Sequence, residues 1–274
     1  MTSTNEPFKT FEHAGWSDSS IVLAYHGQLS DVTRQAIPEL LASTGLKEGD
    51  RVLDVGCGGG YVAAAAGDSG AEVVGADISA AQIDLATKSY PNIQFIEGDA
   101  EDLPFPDAGF DVVLNAFGFP HLADPEKAAR EAFRVLKRGG RFGYASWAEP
   151  AKCLGIAMVY DAIRAYGTLD VGLPPGPNFF AYGDPAYAVE LLGGAGFIEI
   201  SIKDVPLIWR VSTPDAIFDT IASGTVRASA VLRRQTPQAL AEIKDDLRTR
   251  ISKFRNNGSY DVPAGALVVA GHKP

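Results

Sequence analysis

Three acidic residues stand at or near the ends of successive apolar runs, where side chains could bind a polar ligand. Asp54 lies in the first run, Asp77 closes the second and Asp99 follows the third. A carboxylate accepts hydrogen bonds from ammonium, hydroxyl and amine groups. The three acids therefore predict a ligand with several donor groups. The alternative for Asp77 is an ordinary helix-capping or loop acid.

A glycine-rich turn, Gly56-Cys57-Gly58-Gly59-Gly60, directly follows the first apolar run. Glycines let the backbone bend sharply and let a ligand come close, and the free N–H groups of the next helix would face that ligand. A dinucleotide fingerprint requires the spacing G-x-G-x-x-G/A. The series from Gly56 fails it because Tyr61 holds the last position, whereas Gly58, Gly60 and Ala63 fit. The turn alone therefore leaves two cofactor classes open.

Asp54 favours one of these classes, because a carboxylate beside the turn would repel a pyrophosphate but can accept hydrogen bonds from an ammonium group. S-adenosylmethionine carries an ammonium and a sulfonium and no phosphate. Asp77, about twenty residues after the glycines, is placed to bind both hydroxyls of a ribose. Asp99 is placed to accept from the exocyclic amine of adenine. The sequence therefore predicts S-adenosylmethionine as cofactor, with NAD(P) as the alternative.

Alternating strands and helices with short loops would position these acids. Apolar runs predict strands at 51–55, 72–77, 93–96, 111–115 and 141–147, with helices between them. This alternation indicates an α/β protein with a Rossmann-like, doubly wound parallel sheet. In such sheets ligands lie beyond the carboxyl ends of the strands, and Asp54, Asp77, Asp99 and Asn115 all fall at such ends.

Five segments, in order, resemble the class I S-adenosylmethionine-dependent methyltransferases, particularly the small-molecule enzymes of ubiquinone and menaquinone biosynthesis. They are Val52–Gly60, Asp77, Gly98–Phe105, Phe110–Val113 and Arg134–Gly140. The match covers roughly residues 45 to 148. It implies a sheet of seven strands, mostly parallel with the last antiparallel. It also implies methyl transfer from S-adenosylmethionine to an oxygen, carbon or nitrogen of a small organic acceptor by in-line displacement.

The residues expected to bind the cofactor are the three acids, the turn and their neighbours. They are Asp54, Gly56, Cys57, Gly58, Gly60, Asp77, Ile78, Gln82, Asp99, Ala100, Glu101, Asn115 and Ala116. A protein that binds S-adenosylmethionine without methylating would carry the same residues, so it remains an alternative.

His121 is the first candidate for a general base, because it follows the fourth strand and histidine titrates near neutral pH. The alternative is a loop histidine that closes the cofactor pocket. His26 and Tyr25 are weaker candidates. Acceptor-binding residues are expected among aromatic side chains and one cation: Trp16, Tyr25, Phe117, Trp147, Phe179, Phe180 and Arg227. The alternatives are that the aromatic residues build a core and that Arg227 pairs with a structural acid.

Three regions are predicted along the chain. Residues 1–44 form a helical N-terminal arm of two or three short helices, whose first ten residues are expected to be disordered. Residues 45–150 form the cofactor-binding core. Residues 151–274 supply the remaining strands together with helical insertions at 151–183 and about 212–257, which fold over the sheet as a lid.

The composition narrows the function classes. A net charge of −10 and a pI near 4.9 disfavour a nucleic-acid partner, which would need a basic surface. Two distant cysteines and four scattered histidines predict no metal site. The absence of a signal-like or membrane-length apolar run predicts a cytoplasmic protein that does not span a membrane. We expect a monomer or a homodimer.

Overall fold

A central seven-stranded sheet organises the chain in the computed structural model, which describes residues 5–274. The strands are β1 Arg51–Val55, β2 Glu72–Asp77, β3 Gln94–Glu97, β4 Phe110–Ala116, β5 Leu136–Trp147, β6 Ile198–Val205, β7 Ile208–Val211, β8 Arg255–Asn256, β9 Ser259–Pro263 and β10 Ala266–His272. The sheet order is β3-β2-β1-β4-β5-β10-β6, with β10 antiparallel to both neighbours and the other strands parallel. The predicted fold class, including the antiparallel last strand, is confirmed.

Within residues 5–274, twelve α-helices flank the sheet. They are α1 Glu6–Trp16, α2 Ser19–Gln28, α3 Ser30–Thr33, α4 Ile37–Thr44, α5 Tyr61–Asp68, α6 Ala80–Ser89, α7 Pro125–Val135, α8 Leu154–Tyr166, α9 Pro185–Ala195, α10 Ala216–Gly224, α11 Arg227–Arg233 and α12 Pro237–Ile251. Local sequence sets several starts. Oγ of Ser79 accepts from the Gln82 N–H, and the Asp124 carboxylate accepts from the Lys127 N–H ahead of Pro125.

Both faces of the sheet are buried, as a parallel sheet requires. Successive residues of β1 point to opposite faces: Val52 packs in a cluster with α4, α8 and α12, whereas Leu53 packs in a cluster with α7 and α9. The first cluster also contains residues of the N-terminal arm and of the insertions. The division into arm, core and lid stays a prediction, and a shared hydrophobic core joins the three regions.

The structure differs from the sequence prediction at the N-terminus and at both ends of the second insertion. Residues 1–4 of the stretch predicted to be disordered lie outside the described residues, but Glu6–Trp16 form α1. The second insertion is wider than predicted, because it includes β7, β8 and β9. These strands form a separate antiparallel sheet of order β7-β9-β8. In the part of the chain that the structure describes, no helix has the length and hydropathy needed to cross a membrane.

Candidate functional site

A cavity opens beyond the carboxyl ends of β1, β2, β4 and β5, and it is covered by α1, α2 and α11. Nearly all the predicted site residues line it. The two that do not are Gly60 and Phe180. Gly60 immediately precedes α5 with φ of +83°, and a Cβ there would meet the ring of Phe95. Phe180 packs behind the wall, with its ring centroid 5.2 Å from that of Phe179.

Asp54 is buried near the end of β1 and holds the first turn of α5. Its Oδ2 accepts from the Ala63 N–H at 3.0 Å, while its Oδ1 is buried and lacks a hydrogen-bond partner within residues 5–274. Burial, with a smaller contribution from the charge of Asp77, raises the pKa of Asp54 to about 7. A buried acceptor without a partner is costly. An ammonium group entering the cavity would satisfy it, so this residue fits the amino-acid end of S-adenosylmethionine.

Asp77 fixes the glycine turn from the neighbouring strand. Its Oδ2 accepts from the Gly58 N–H and its Oδ1 from the Ser79 N–H, both at 2.9 Å. Burial raises the pKa of this carboxyl. Each carboxylate oxygen has a further lone pair, which suits the two hydroxyls of a ribose. Ribose binding by Asp77 stays a prediction, and the structure adds a second role for this acid, which is to hold the glycine turn.

The glycine turn lies under a histidine from the N-terminal arm. A Cβ on Gly59 would stand 2.6 Å from Cε1 of His26, so only glycine allows this approach. Nε2 of His26 donates to Oε1 of Gln82 at 2.7 Å, and its Nδ1 lies 3.1 Å from the Tyr61 hydroxyl. Burial lowers the pKa of His26. Both ring nitrogens are therefore engaged, which disfavours His26 as a catalytic base.

Lys9 of α1 contacts the acids expected near adenine. Its Nζ lies 2.5 Å from Oδ2 of Asp99 and 2.9 Å from Oε2 of Glu101. Glu101 also accepts from the N–H groups of Ala123 and Asp124. The sequence prediction missed Lys9, because it lies in a stretch predicted to be disordered and belongs to no motif.

His121 is oriented by a buried acid that the sequence prediction also missed. Its Nδ1 lies 2.8 Å from Oε2 of Glu12, which is 3% exposed, and its ring stands edge-on to Trp16 with centroids 5.1 Å apart. A carboxylate only accepts hydrogen bonds, so Nδ1 carries a hydrogen and donates a hydrogen bond to Glu12. In the neutral ring Nε2 carries a lone pair, and this nitrogen makes no hydrogen bond within the described residues.

Aromatic rings form the rest of the cavity wall. Phe117 and Trp147, at the ends of β4 and β5, lie with centroids 4.5 Å apart, and Trp16 stands edge-on to Tyr25 at 5.6 Å. The Tyr25 hydroxyl bonds Oγ1 of Thr33, and burial raises its pKa to about 12, so it is a poor base. These rings suit a planar acceptor. In the described part of the chain, no group of three or more His, Cys, Asp or Glu side chains could hold a metal ion.

Comparisons with known sequences agree with this arrangement. The family described as a methyltransferase domain matches residues 53–143. The chain is 28% identical over 203 residues to a demethylmenaquinone methyltransferase of Paenarthrobacter aurescens, covering 69% of this chain and 80% of that protein. It is 30% identical over 221 residues to the uncharacterized protein Rv1405c of Mycobacterium tuberculosis, covering 75% of this chain and 78% of that protein.

Solved structures share the fold. Protein YcgJ of Bacillus subtilis aligns with a TM-score of 0.57 at 20% identity, covering 87% of this chain and 97% of that one. A Haemonchus contortus phosphoethanolamine N-methyltransferase 2, solved with phosphomonomethylethanolamine and S-adenosylhomocysteine, aligns with a TM-score of 0.60 at 19% identity, covering 97% of this chain and 60% of that one.

The glycine turn alone left two cofactor classes open, and these matches favour S-adenosylmethionine over NAD(P). The acids, the turn and the sheet order all agree with them. The chain belongs to the class I S-adenosylmethionine-dependent methyltransferases, is similar to those of ubiquinone and menaquinone biosynthesis, and methylates a small organic acceptor.

Proposed function

We propose that this enzyme methylates a hydroxylated aromatic ring, at the hydroxyl oxygen or at a ring carbon that the hydroxyl activates, with His121 as general base. The observation that carries the proposal is the contact between His121 and Glu12 at the cavity wall. A carboxylate that holds one imidazole nitrogen leaves the other free to take a proton. The aromatic wall supports a flat acceptor, and so does the similarity to a demethylmenaquinone methyltransferase.

Each acid at a strand end has a proposed role in binding the cofactor. Asp54 accepts from the ammonium, Asp77 from the ribose hydroxyls and Asp99 from the adenine amine. S-adenosylmethionine supplies a methyl group on a sulfonium, and the carbon–sulfur bond breaks with its electron pair left on sulfur, giving S-adenosylhomocysteine. The remaining task of the protein is to align the two reactants and to exclude water.

The residues around His121 account for the acceptor's proton. Nε2 of His121 takes the hydroxyl proton as the oxygen, or the ring carbon, forms its bond to the methyl group. In methylation at carbon, the ring proton then passes to water while the oxygen takes back a proton from Nε2 of His121, which restores the hydroxylated aromatic ring and the neutral base. The Glu12 carboxylate stabilises the imidazolium through Nδ1–H, and Trp16 holds the ring in place. His121 is therefore the proposed catalytic residue and Glu12 the positioning residue.

An activity assay with matched variants tests this proposal. The enzyme is incubated with S-adenosylmethionine and a panel of phenols, catechols and naphthoquinols, and S-adenosylhomocysteine and methylated product are measured. We expect His121→Gln to lower kcat by about 100-fold or more, with unchanged affinity for S-adenosylhomocysteine. Glu12→Gln should lower kcat less and alter the pH profile. His272→Gln, a substitution in β10, should leave kcat unchanged.

Two results would contradict the proposal. Equal turnover of wild type and His121→Gln across the pH range would remove the general base. Conversion of an acceptor without formation of S-adenosylhomocysteine would favour the alternative of a cofactor-binding protein with another activity.

We also propose a cytoplasmic monomer or homodimer without a nucleic-acid partner. The net charge of −10 supports the last point. The two free cysteines, Cys57 and Cys153, are both buried, and burial raises the pKa of each thiol, which fits inert thiols in a reducing compartment. Analytical ultracentrifugation of the purified protein would measure its oligomeric state.

A further inference from the structure

Arg227, the first residue of α11, lines the cavity with its cationic side chain. Its Nη1 donates to the Pro174 carbonyl at 2.7 Å, and its guanidinium carbon lies 5.9 Å from the centroid of the Phe8 ring. Among the described residues it makes no ion pair. The other Lys and Arg side chains on the cavity wall do: Lys9 pairs with two acids and Arg34 with Asp31. Within residues 5–274, therefore, no acid pairs with Arg227 as the structural alternative would require.

The remaining donors of this guanidinium need a partner. A guanidinium has five N–H groups in a planar fork, and the structure assigns one of them to a carbonyl. A charge held against apolar side chains costs free energy unless it is paired. Phe8 and Val226 lie beside it on the wall. The guanidinium of Arg227 on α11 therefore has N–H groups that can bind an anion in the cavity.

Tyr160 of α8 offers a second donor on the same wall. Its hydroxyl makes no hydrogen bond within residues 5–274, while its ring packs on Phe179 with centroids 5.9 Å apart. Burial raises the pKa of Tyr160 to about 12, and the charges of Arg227 and Glu12 both act on it. Tyr160 is therefore a neutral hydroxyl on a cavity wall that also carries Arg227 and Glu12.

We propose that the acceptor is an aromatic hydroxy acid whose carboxylate binds Arg227, with the Tyr160 hydroxyl as an additional donor. This inference rests on the proposed function, because binding at Arg227 would orient the hydroxyl of the acceptor towards His121, the proposed base. Arg227 binds a carboxylate through two parallel N–H···O bonds. The aromatic rings contact the two faces of the acceptor. The negative charge of its carboxylate, and not ring size alone, then determines which acceptors bind.

Binding measurements on matched ligands test this inference without turnover. Hydroxybenzoic and hydroxynaphthoic acids and their methyl esters are titrated by calorimetry into the protein loaded with S-adenosylhomocysteine. We expect each acid to bind more tightly than its ester. Arg227→Gln should weaken binding of the acid by about tenfold or more, the range of a charge-assisted hydrogen bond, and should leave binding of the ester unchanged. Tyr160→Phe should weaken binding of the acid by a smaller factor.

Two control variants isolate the role of the fork. Arg227→Lys keeps the charge but loses the parallel bonds, so it should restore part of the affinity for the acid. Arg234→Gln removes an exposed arginine just after the same helix and should change neither affinity. A thermal unfolding curve for each variant shows whether it is folded.

The outcomes separate this inference from the proposed function. If the ester binds as well as the acid, if no acid binds, or if Arg227→Gln weakens both ligands equally, the anion site is wrong. Methylation of uncharged phenols that is unaffected by Arg227→Gln would overturn the anion site and leave the proposed function standing. Acids that bind through Arg227 but yield no S-adenosylhomocysteine would support the anion site and contradict the proposed base chemistry.

Discussion

Binding of the cofactor should release a proton from Asp54. In the free protein this carboxyl is buried, its Oδ1 lacks a partner in the described chain, and its pKa is raised to about 7. An ammonium group beside a carboxylate favours the ionised form. Below pH 7 the free protein therefore holds a proton on Asp54 that the complex does not hold, and affinity should rise as the pH rises towards 7.

The size of the effect follows from the raised pKa. At pH 6, with a pKa of about 7 in the free protein, Asp54 is about nine-tenths protonated, so binding releases about 0.9 proton through this residue. The dissociation constant should then fall about tenfold for each pH unit gained below pH 7 and level off above it. The pKa of Asp77 is also raised by burial, so the contribution of Asp54 must be isolated by substitution.

Calorimetry measures this contribution directly. S-adenosylhomocysteine has the same amino-acid end as the donor and does not react, so it is titrated at pH 6 in buffers of different ionisation enthalpy. Asp54→Asn should reduce proton release by nearly one and flatten the pH dependence of affinity. Asp68→Asn, an exposed acid at the end of α5, is the matched control and should behave as wild type. Equal proton release in wild type and Asp54→Asn would refute the reasoning.

Three further predictions concern residues of the same cavity. Folding raises the pKa of Asp54 from 3.8 to about 7, so the free energy of unfolding falls as pH rises between these values. Asp54→Asn should therefore stabilise the cofactor-free protein above pH 7, by about 4 kcal/mol at most, and should not stabilise it near pH 4. Urea unfolding at both pH values checks the sign. Gly59→Ala should cost about 1–3 kcal/mol of stability because its Cβ meets His26, and less in a His26→Ala background, as a double-mutant cycle by thermal unfolding would show. Asp77→Asn should weaken S-adenosylhomocysteine binding by about tenfold or more with the fold retained, since one charge-assisted acceptor is lost; unchanged affinity by calorimetry would contradict the ribose assignment.

The features predicted from sequence were those encoded by local patterns. The apolar run ending at Asp54, the glycine turn and the acid at Asp77 each lie within a few residues of the structure they specify, so strand, turn and helix were predicted together. The fifth strand was predicted too short, because Lys137 and Gly139 interrupt its apolar pattern although the strand begins at Leu136.

The missed features depend on contacts between distant residues. Glu12 and Lys9 belong to α1, which contacts acids and a histidine about 90 to 110 positions away, and no local spacing marks such a pair. The sheet of β7, β9 and β8 was missed for the same reason, because β7 pairs with a strand some fifty residues later. The first half of helix α1, up to residue 10, is stabilised mainly by these tertiary contacts, which explains why its sequence alone predicted disorder there.

The position of β10 in the main sheet has a consequence for how the protein reaches this structure. Trp147 and Ala266 are register partners although 119 residues separate them, and β10 lies between β5 and β6. Closing so large a loop costs chain entropy before any hydrogen bond between β5 and β10 can form. This step is therefore slow compared with local helix formation. Until it is complete, β5 is an unpaired edge of a half-built sheet, a surface on which other chains can add strands and aggregate. Low temperature and dilute protein during refolding should therefore raise the yield of native enzyme.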